Sequence, residues 1–273
     1  MSDSVVVIPC YNEELRLRRE GFAELLRGGK VRLLFVDDGS SDGTFAMLRA
    51  LCRELRSASV LRLERNQGKA EAVRRGLLEA LESEAAFVGY LDADLATPPA
   101  EMLRIVDALH RSDVAVALAC RKRVPGANIQ RNARRRFLGR LFSLAASLVL
   151  RARFHDTQCG AKAFRATPAL RAALRERFHA RWAFDVELMG RLLTGSPDAE
   201  RLDRKDFLEV PLHAWREVPG SKLRAADVPL LGLELARIAW ELMRLRASLS
   251  RTPPEVLPAL PEESAPPRVA GAG

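Results

Sequence analysis

The chain has 273 residues, of which 48% are apolar, and 44 lysines and arginines against 35 aspartates and glutamates give a formal net charge of +9. This length and apolar content suffice for one large domain or two small ones, and they exclude a disordered or fibrous protein for most of the chain. The positive charge favours three kinds of partner: nucleic acid, an anionic membrane surface or a phosphorylated substrate.

The cysteines and the longest apolar runs indicate the cellular setting. The four cysteines contain no C-x-x-C pair, which argues against a zinc ribbon and a disulfide framework and favours a reducing cytoplasm. The amino-terminal sequence has no basic segment before its short apolar run, so we expect no signal peptide. The longest apolar stretch, residues 141–150, is far shorter than the roughly 20 residues of a spanning helix, so we expect no transmembrane segment.

Apolar runs and helical patterns alternate along the first half of the chain. Continuous apolar runs bounded by turn residues predict buried strands at residues 5–9, 31–37, 59–63, 86–91 and 114–119. Apolar spacings of three and four predict helices between them, at residues 13–26, 44–55, 69–81 and 99–109. This order predicts an α/β fold, with a mostly parallel, Rossmann-like sheet and helices on both faces.

The alternation weakens after residue 121, where the pattern mixes helices with a strand predicted at residues 207–213. An amphipathic helix follows at Val228–Leu249, and residues 252–273 contain six of the fifteen prolines. We therefore expect a main domain over residues 1–224, a carboxyl-terminal amphipathic helix at 225–250 and a proline-rich disordered tail at 251–273.

Polar residues gather where the predicted strands end, which is where parallel α/β sheets bind their ligands. Asp92 and Asp94 follow the fourth strand, and paired carboxylates of this kind suit Mg²⁺ or Mn²⁺ shared with substrate phosphates, although two solvated loop aspartates fit as well. Asp37 and Asp38 follow the second strand and suit ribose hydroxyls or a base edge, or simply a strand–turn–helix joint. Residues 66–69 open a helix and suit a phosphate, or are a plain helix start.

Seven motifs occur in one order along residues 5–224: VVIPCYNEE, VDDGSSDGT, NQGKAEAVRRG, LDADLATPP, DTQCGAKAFR, RWAFDVEL and EVPLHAWREVPGSKLR. Together they resemble the inverting family-2 glycosyltransferases of the GT-A fold. Within that family the chain is most similar to dolichyl-phosphate β-glucosyltransferases and bacterial polyprenyl-phosphate glycosyltransferases. The resemblance implies metal-dependent transfer of a hexose from a nucleotide sugar.

The resemblance also implies roles for single residues. Those that match the nucleotide-sugar site are Pro9, Tyr11, Glu13, Asp38 and Lys69. Asp92 and Asp94 match the metal-binding pair, in which Asp94 is the better direct ligand and Asp92 also suits the sugar and ribose side. Asp94 and Asp185 match the catalytic positions. We expect Asp185 mainly to position substrate, because a phosphate monoester with a second pKa of about 6 is already deprotonated near pH 7.

A single segment holds the whole excess of positive charge. Residues 114–155 contain ten lysines and arginines and no acid, whereas the rest of the chain has 34 basic and 35 acidic residues. Its helical part has a stripe of arginines and serines opposite phenylalanines and leucines, and it fits either a helix packed on the core or one lying in a membrane interface. Arg131 and Arg134, just before that helix, resemble the acceptor-phosphate contacts of the family.

The resemblance implies transfer of glucose from UDP-glucose to a polyprenyl phosphate, with Mg²⁺ or Mn²⁺. The basic segment adds the expectation of a protein peripheral to the cytoplasmic face of a membrane. GDP-mannose as donor, or a soluble acceptor, remains an alternative within the same fold. A non-catalytic basic module that binds nucleic acid or protein is disfavoured, because it would lack acidic strand ends and would place aromatic residues among its arginines. We expect no nucleic-acid partner.

Overall fold

The computed structural model describes residues 4–122, 124–130, 133–218 and 228–250. The strands within these ranges are β1 (Ser4–Cys10), β2 (Arg32–Asp37), β3 (Ala58–Arg62), β4 (Phe87–Leu91), β5 (Val116–Cys120), β6 (Asn128–Gln130), β7 (Ala161–Arg165), β8 (Phe207–Pro211) and β9 (Ala214–Arg216). The α-helices are α1 (Arg19–Leu26), α2 (Thr44–Glu54), α3 (Lys69–Glu82), α4 (Pro99–His110), α5 (Ala133–Leu150), α6 (Pro168–Arg175), α7 (Phe184–Thr194) and α8 (Val228–Leu249).

Seven of these strands form one sheet in the order β3-β2-β1-β4-β7-β5-β8, and β6 pairs with β9 in a small parallel ribbon. The first four strands are parallel to one another, as are β5 and β8. Strand β7 runs antiparallel to both of its neighbours, β4 and β5. The mostly parallel sheet predicted from the sequence is therefore confirmed, with one reversed strand at its centre that the apolar pattern did not predict.

The core lies in two layers, one on each face of the sheet. Side chains alternate along β1, so Val5 and Val7 join one layer whereas Val6 and Ile8 join the other. Helices α3, α5, α6, α7 and α8 contribute buried residues to the first layer, and α1, α2 and α4 contribute to the second. Helices thus cover both faces of the sheet, as predicted.

The bounds of the predicted elements agree with the structure to within two residues, except at the start of α1. Helix α1 begins at Arg19 instead of residue 13, because Glu13 closes a turn in which its carbonyl accepts from the amides of Arg16 and Leu17 at 2.8 and 2.9 Å. Strand β8 ends at Pro211, before the short strand β9 that pairs with β6.

Helix α8 has the bounds that the sequence predicted, and it packs on the main domain through Leu235, Ile238 and Leu242. The predicted disordered tail lies outside the described residues. None of the helices in the ranges given above is long and apolar enough to cross a bilayer.

Candidate active site

The end of β4 and the start of β7 meet at the centre of the sheet and hold the acidic pair. Asp92 donates its backbone N–H to the carbonyl of Gly160 at 2.9 Å, and the Asp94 carboxylate accepts from the amide of Ala96 at 3.0 Å. Lys69, the first residue of α3, forms an ion pair with Asp92 at 2.6 Å. The structure thus brings together three residues that the sequence predicted for one site.

Charges of opposite sign around Lys69 and Asp92 shift the pKa values of these two side chains. Burial lowers the pKa of Lys69, but the carboxylates of Asp92, Asp185 and Asp94 outweigh burial and raise the pKa above its usual value. Burial raises the pKa of Asp92, the Lys69 ammonium opposes that shift, and Asp94 adds to it. The carboxylates outnumber the nearby ammonium groups, which favours a bound cation.

Asp185 lies in the first turn of α7 and is held by two buried side chains. The Lys162 ammonium donates to Asp185 Oδ1 at 2.7 Å and to the carbonyl of Cys159 at 2.8 Å, and the Tyr90 hydroxyl donates to the same Oδ1. The side chains of Lys162 and Asp185 are 1% and 5% exposed. Burial and the Asp185 carboxylate raise the pKa of Tyr90 well above its usual value. The Asp185 carboxylate therefore has one oxygen fixed by the sheet.

Sequence reasoning missed both Lys162 and Tyr90. A lysine in the apolar run of β7 is the one signal that was available, because a buried ammonium requires an acidic partner. Nothing in the sequence indicated that Tyr90 belongs to the site, since an aromatic residue in an apolar strand such as β4 is usually part of the core.

The acidic pair at the end of β2 is bound by the protein's own backbone. The two oxygens of Asp38 accept from the amides of Gln67 and Gly68 at 2.7 and 2.8 Å, immediately before α3. Asp37 accepts from the amide of Ser40 at 3.3 Å. The pair therefore acts as a structural joint that fixes the start of α3, and with it Lys69. Contact of Asp38 with a nucleotide stays a prediction.

The end of β1 lies between the ends of β2 and β4. The residues at and after the end of β1 that are predicted to bind the nucleotide therefore adjoin Asp92 and Asp94. Pro9 and Tyr11 are half-buried. The buried carboxylate of Glu13 accepts two hydrogen bonds from Arg16, at 2.9 and 2.7 Å, and the Glu13 amide donates to Thr44 Oγ1 at 2.8 Å. Glu13 thus anchors the loop that follows β1.

A second ion pair, also missed by sequence reasoning, fixes the loop before β7. Arg121 binds Asp156 through two guanidinium nitrogens at 2.6 and 2.8 Å, and its guanidinium lies 5.2 Å from the ring centre of Trp215. Burial lowers the pKa of Arg121, but the Asp156 carboxylate outweighs burial and raises it. This pair orders the segment that leads to Gly160 and Lys162.

The structure does not test the two arginines that were predicted to contact the phosphate of the acceptor substrate. Arg131 lies outside the described residues, and Arg134 belongs to α5, but its side chain is also outside them.

Asp92 and Asp94 fit a hard divalent cation by the chemistry of their donor atoms. Both residues offer carboxylate oxygens, and Asp94 is the freer of the two because Lys69 engages Asp92. Within the described ranges, no cluster of three or more histidines, cysteines, aspartates or glutamates forms a cage for a metal ion. Such a pair suits Mg²⁺ or Mn²⁺, which keep water and substrate phosphates as their other ligands.

A doubly wound sheet with an acidic pair at the end of a central strand is the architecture of glycosyltransferases of the GT-A fold. Residues 5–172 match Glycosyl transferase family 2, and the chain belongs to this family.

Relatives with assigned activities cover most of the chain. Dolichyl-phosphate β-glucosyltransferase of Dictyostelium discoideum is 30% identical over 236 residues, which cover 80% of this chain and 68% of that protein. The Drosophila melanogaster protein of the same name is 32% identical over 235 residues, with the same coverage. Undecaprenyl-phosphate 4-deoxy-4-formamido-L-arabinose transferase of Pseudomonas aeruginosa is 36% identical over 166 residues, 59% of this chain and 46% of that protein.

Solved structures have the same fold. Glucosyl-3-phosphoglycerate synthase from Mycobacterium tuberculosis, crystallised with Mn²⁺, UDP and glucosyl-3-phosphoglycerate, aligns with a TM-score of 0.62 at 20% identity and covers 89% of this chain and 80% of that one. A mannosyltransferase from Pyrobaculum calidifontis, in complex with GDP-Man and Mn²⁺, aligns with a TM-score of 0.50 at 16% identity, over 92% and 76% of the two chains. The predicted GT-A fold is confirmed.

Proposed function

We propose that this glycosyltransferase moves glucose from UDP-glucose to a polyprenyl phosphate, with inversion, to give a β-linked product. The observation that carries the proposal is the cluster of Asp92, Asp94, Lys69 and Asp185 at the centre of the sheet. The dolichyl-phosphate β-glucosyltransferases that cover most of the chain support glucose as the sugar and a lipid phosphate as the acceptor class.

The donor side of the site follows from the ends of β1, β2 and β4. Asp94, with Asp92, would hold Mg²⁺ or Mn²⁺, which when bound stabilises the charge of the departing diphosphate. Lys69 stands at the start of α3, where its ammonium and the positive end of the helix dipole favour phosphate oxygens. We assign the nucleoside part of the donor to a further set of residues: Pro9, Tyr11, Glu13 and Asp38.

Asp185 is proposed to position substrates and not to remove a proton. A phosphate acceptor is already deprotonated near pH 7, and Asp185 Oδ1 already accepts hydrogen bonds from Lys162 and Tyr90. Asp185→Asn keeps an oxygen for those donors but removes the charge opposite the buried Lys162, so the variant should be less stable. At a temperature where both proteins are folded we expect turnover within roughly tenfold of wild type, whereas loss of an essential base costs roughly 10²- to 10⁴-fold. The rate of transfer to polyprenyl phosphate, measured for both proteins, decides between the two roles.

We also propose that the protein docks on an anionic bilayer through α5 and α8. Helix α5 packs on the core through Ala146 and Leu150, yet a stripe of large apolar side chains points to solvent: Phe137, Leu141, Leu144 and Leu148. The serines of the predicted polar stripe are half-buried instead, and Ser147 binds the backbone of Phe154. Of the two alternatives that the sequence left open, a helix whose whole apolar face packs on the core is therefore contradicted for these four apolar side chains.

Helix α8 lies against α5 and also exposes large apolar side chains. The two helices pack together, and α8 exposes Leu230, Leu233, Trp240 and Met243. Burial and the neighbouring Arg151, which directly follows α5, lower the pKa of Arg246 on α8, so two arginines lie close together where these helices end. An exposed apolar surface bordered by arginines is typical of a protein that lies in a membrane interface.

The deciding experiment incubates the purified protein with labelled UDP-glucose, UDP-N-acetylglucosamine or GDP-mannose. Each donor is paired with polyprenyl phosphate or with a soluble alcohol, in Mn²⁺ or in excess chelator. We expect product from UDP-glucose and polyprenyl phosphate in Mn²⁺, with a β-linkage by nuclear magnetic resonance. A preference for GDP-mannose, or transfer to the soluble acceptor, would overturn the proposal.

A further inference from the structure

The loop that leads into α7 is held by a side chain from α8. One oxygen of Glu234 accepts from the backbone amide of Arg181 at 3.0 Å, and the other accepts from the amides of Trp182 and Ala183 at 3.0 and 2.8 Å. Asp185 is the second residue of the helix that these amides precede.

A carboxylate at this place binds amides of the loop that immediately precedes the helix, beside its positively charged amino-terminal end. One of them is the amide of the N-cap residue, Ala183, which a glutamate at the third helical position binds in many proteins. That position is Val186 here, and the carboxylate comes from α8 instead. The bonds to Glu234 are charge-assisted and therefore stronger than bonds between neutral groups.

The residues just before this loop are fixed in the same way from within α7. Glu187 accepts from the amides of His179 and Ala180 at 2.9 and 2.8 Å. Five successive amides, from residue 179 to residue 183, are therefore bound by two carboxylates. The start of α7 is set by Glu187 from the helix's own side and by Glu234 from α8.

Helix α8 does not depend on Glu234 for its own attachment. Leu235, Ile238 and Leu242 are buried between α8 and the main domain, and Leu242 lies against Gly190 of α7. Loss of the Glu234 charge therefore frees the loop without releasing the helix.

We propose that Glu234 is a positioning residue for glycosyl transfer, which fixes residues 181–183 and through them Asp185. This inference rests on the proposed function, because it assigns α8 a role in the acceptor side of the same site. The helix that carries the proposed membrane surface is then also the helix that sets the start of α7.

The test compares Glu234→Gln with two control variants on α8. Glutamine keeps the size of the side chain and removes its charge. Glu241→Gln removes the same charge further along the helix, and Ile238→Val weakens its buried contact without touching the loop. Hydrogen–deuterium exchange of residues 179–186, melting temperature and the kinetics of transfer from UDP-glucose to polyprenyl phosphate are measured for each.

In Glu234→Gln we expect the amides of residues 181–183 to exchange at least about tenfold faster. We expect kcat to fall roughly threefold to tenfold, because small displacements of a positioning group reduce turnover. KM for UDP-glucose should stay within about twofold, since the donor residues lie on other elements. Ile238→Val should lower the melting temperature and leave kcat unchanged, and Glu241→Gln should behave as wild type.

A wild-type kcat in Glu234→Gln, or an equal fall in Ile238→Val at a temperature where both are folded, would overturn the inference. Absence of transfer by the wild-type protein would instead count against the proposed function, and the exchange measurement still tests the contact. If Glu234→Gln does not fold, Glu234→Asp, which keeps the charge but shortens its reach, is measured with the same expectations.

Discussion

Single residues in this protein show why a buried charge needs a partner on a different element. Lys162 is a lysine in a buried strand, and it is tolerated because Asp185 from α7 and the carbonyl of Cys159 accept hydrogen bonds from its ammonium group. Asp38 is likewise stabilised by two backbone amides from the loop before α3. Both residues hold the site together before any substrate arrives.

Lys162→Met should destabilise the protein by about 3–5 kcal/mol, because it leaves the buried Asp185 carboxylate with a neutral hydroxyl as its remaining donor. Chemical denaturation measures the free energy of unfolding. Arg175→Met is the matched control, since it breaks an exposed pair with Asp198 and should cost at most about 1 kcal/mol. Equal losses in the two variants would contradict the assigned role of Lys162.

Asp94→Asn should reduce glycosyl transfer by at least roughly 100-fold, because it removes the carboxylate that we expect to bind the divalent ion. Folding should be unchanged, since the asparagine oxygen still accepts from the amide of Ala96. Activity across a Mn²⁺ titration is measured beside Asp198→Asn, an exposed acid outside the site. Full activity of Asp94→Asn, or of wild type in excess chelator, would refute the metal assignment.

Whole elements are placed by close contact between helices and the sheet. Helix α3 carries Lys69 to the site, and it lies directly on β1 and β2 at Gly76, where an added methyl group would meet Val7 and would lie 2.8 Å from Val36. Strand β7 was not predicted because its short run follows a polar motif and its partners are distant in sequence. Pairing of that kind is decided by tertiary contacts, which no local pattern contains.

Gly76→Ala should destabilise the protein by about 1–3 kcal/mol, although alanine favours a helix by about 1 kcal/mol, because the sheet leaves no room for the methyl group. Gly232→Ala in α8 is the matched control, since no described atom lies within 4 Å of an added methyl group there. That variant should be stabilised by up to about 1 kcal/mol. Melting curves of both variants check the pair, and opposite signs are the expected result.

At the scale of the whole molecule, charge and exposed apolar surface fall in the same region. The excess of positive charge lies in residues 114–155, which include α5. The neighbouring helices α5 and α8 expose a run of large apolar side chains, among them Leu148 at 74% and Leu233 at 67%. The combination of the two favours an anionic bilayer over a nucleic acid.

The protein should float with vesicles that contain phosphatidylglycerol and less with vesicles of phosphatidylcholine, and added salt should weaken binding. Leu144→Glu and Leu148→Glu should each reduce the bound fraction by roughly tenfold, because each removes an apolar side chain from the interface. Leu15→Glu, at a still more exposed leucine outside both helices, should bind as wild type does. Equal binding by all variants would refute this surface as the site of docking.

The sequence by itself determined the α/β class, the parallel strands, the family and the acidic pair at the end of β4. These depend on local periodicity and on motifs read in chain order, and both are present in one dimension. Only the tertiary structure decided that β7 runs against its neighbours, that Lys162 and Tyr90 hold Asp185, and that Glu234 binds the loop before α7. It also decided that Leu141, Leu144 and Leu148 of α5 face outward. Each of these depends on the partner that a residue meets far along the chain, and packing alone supplies that partner.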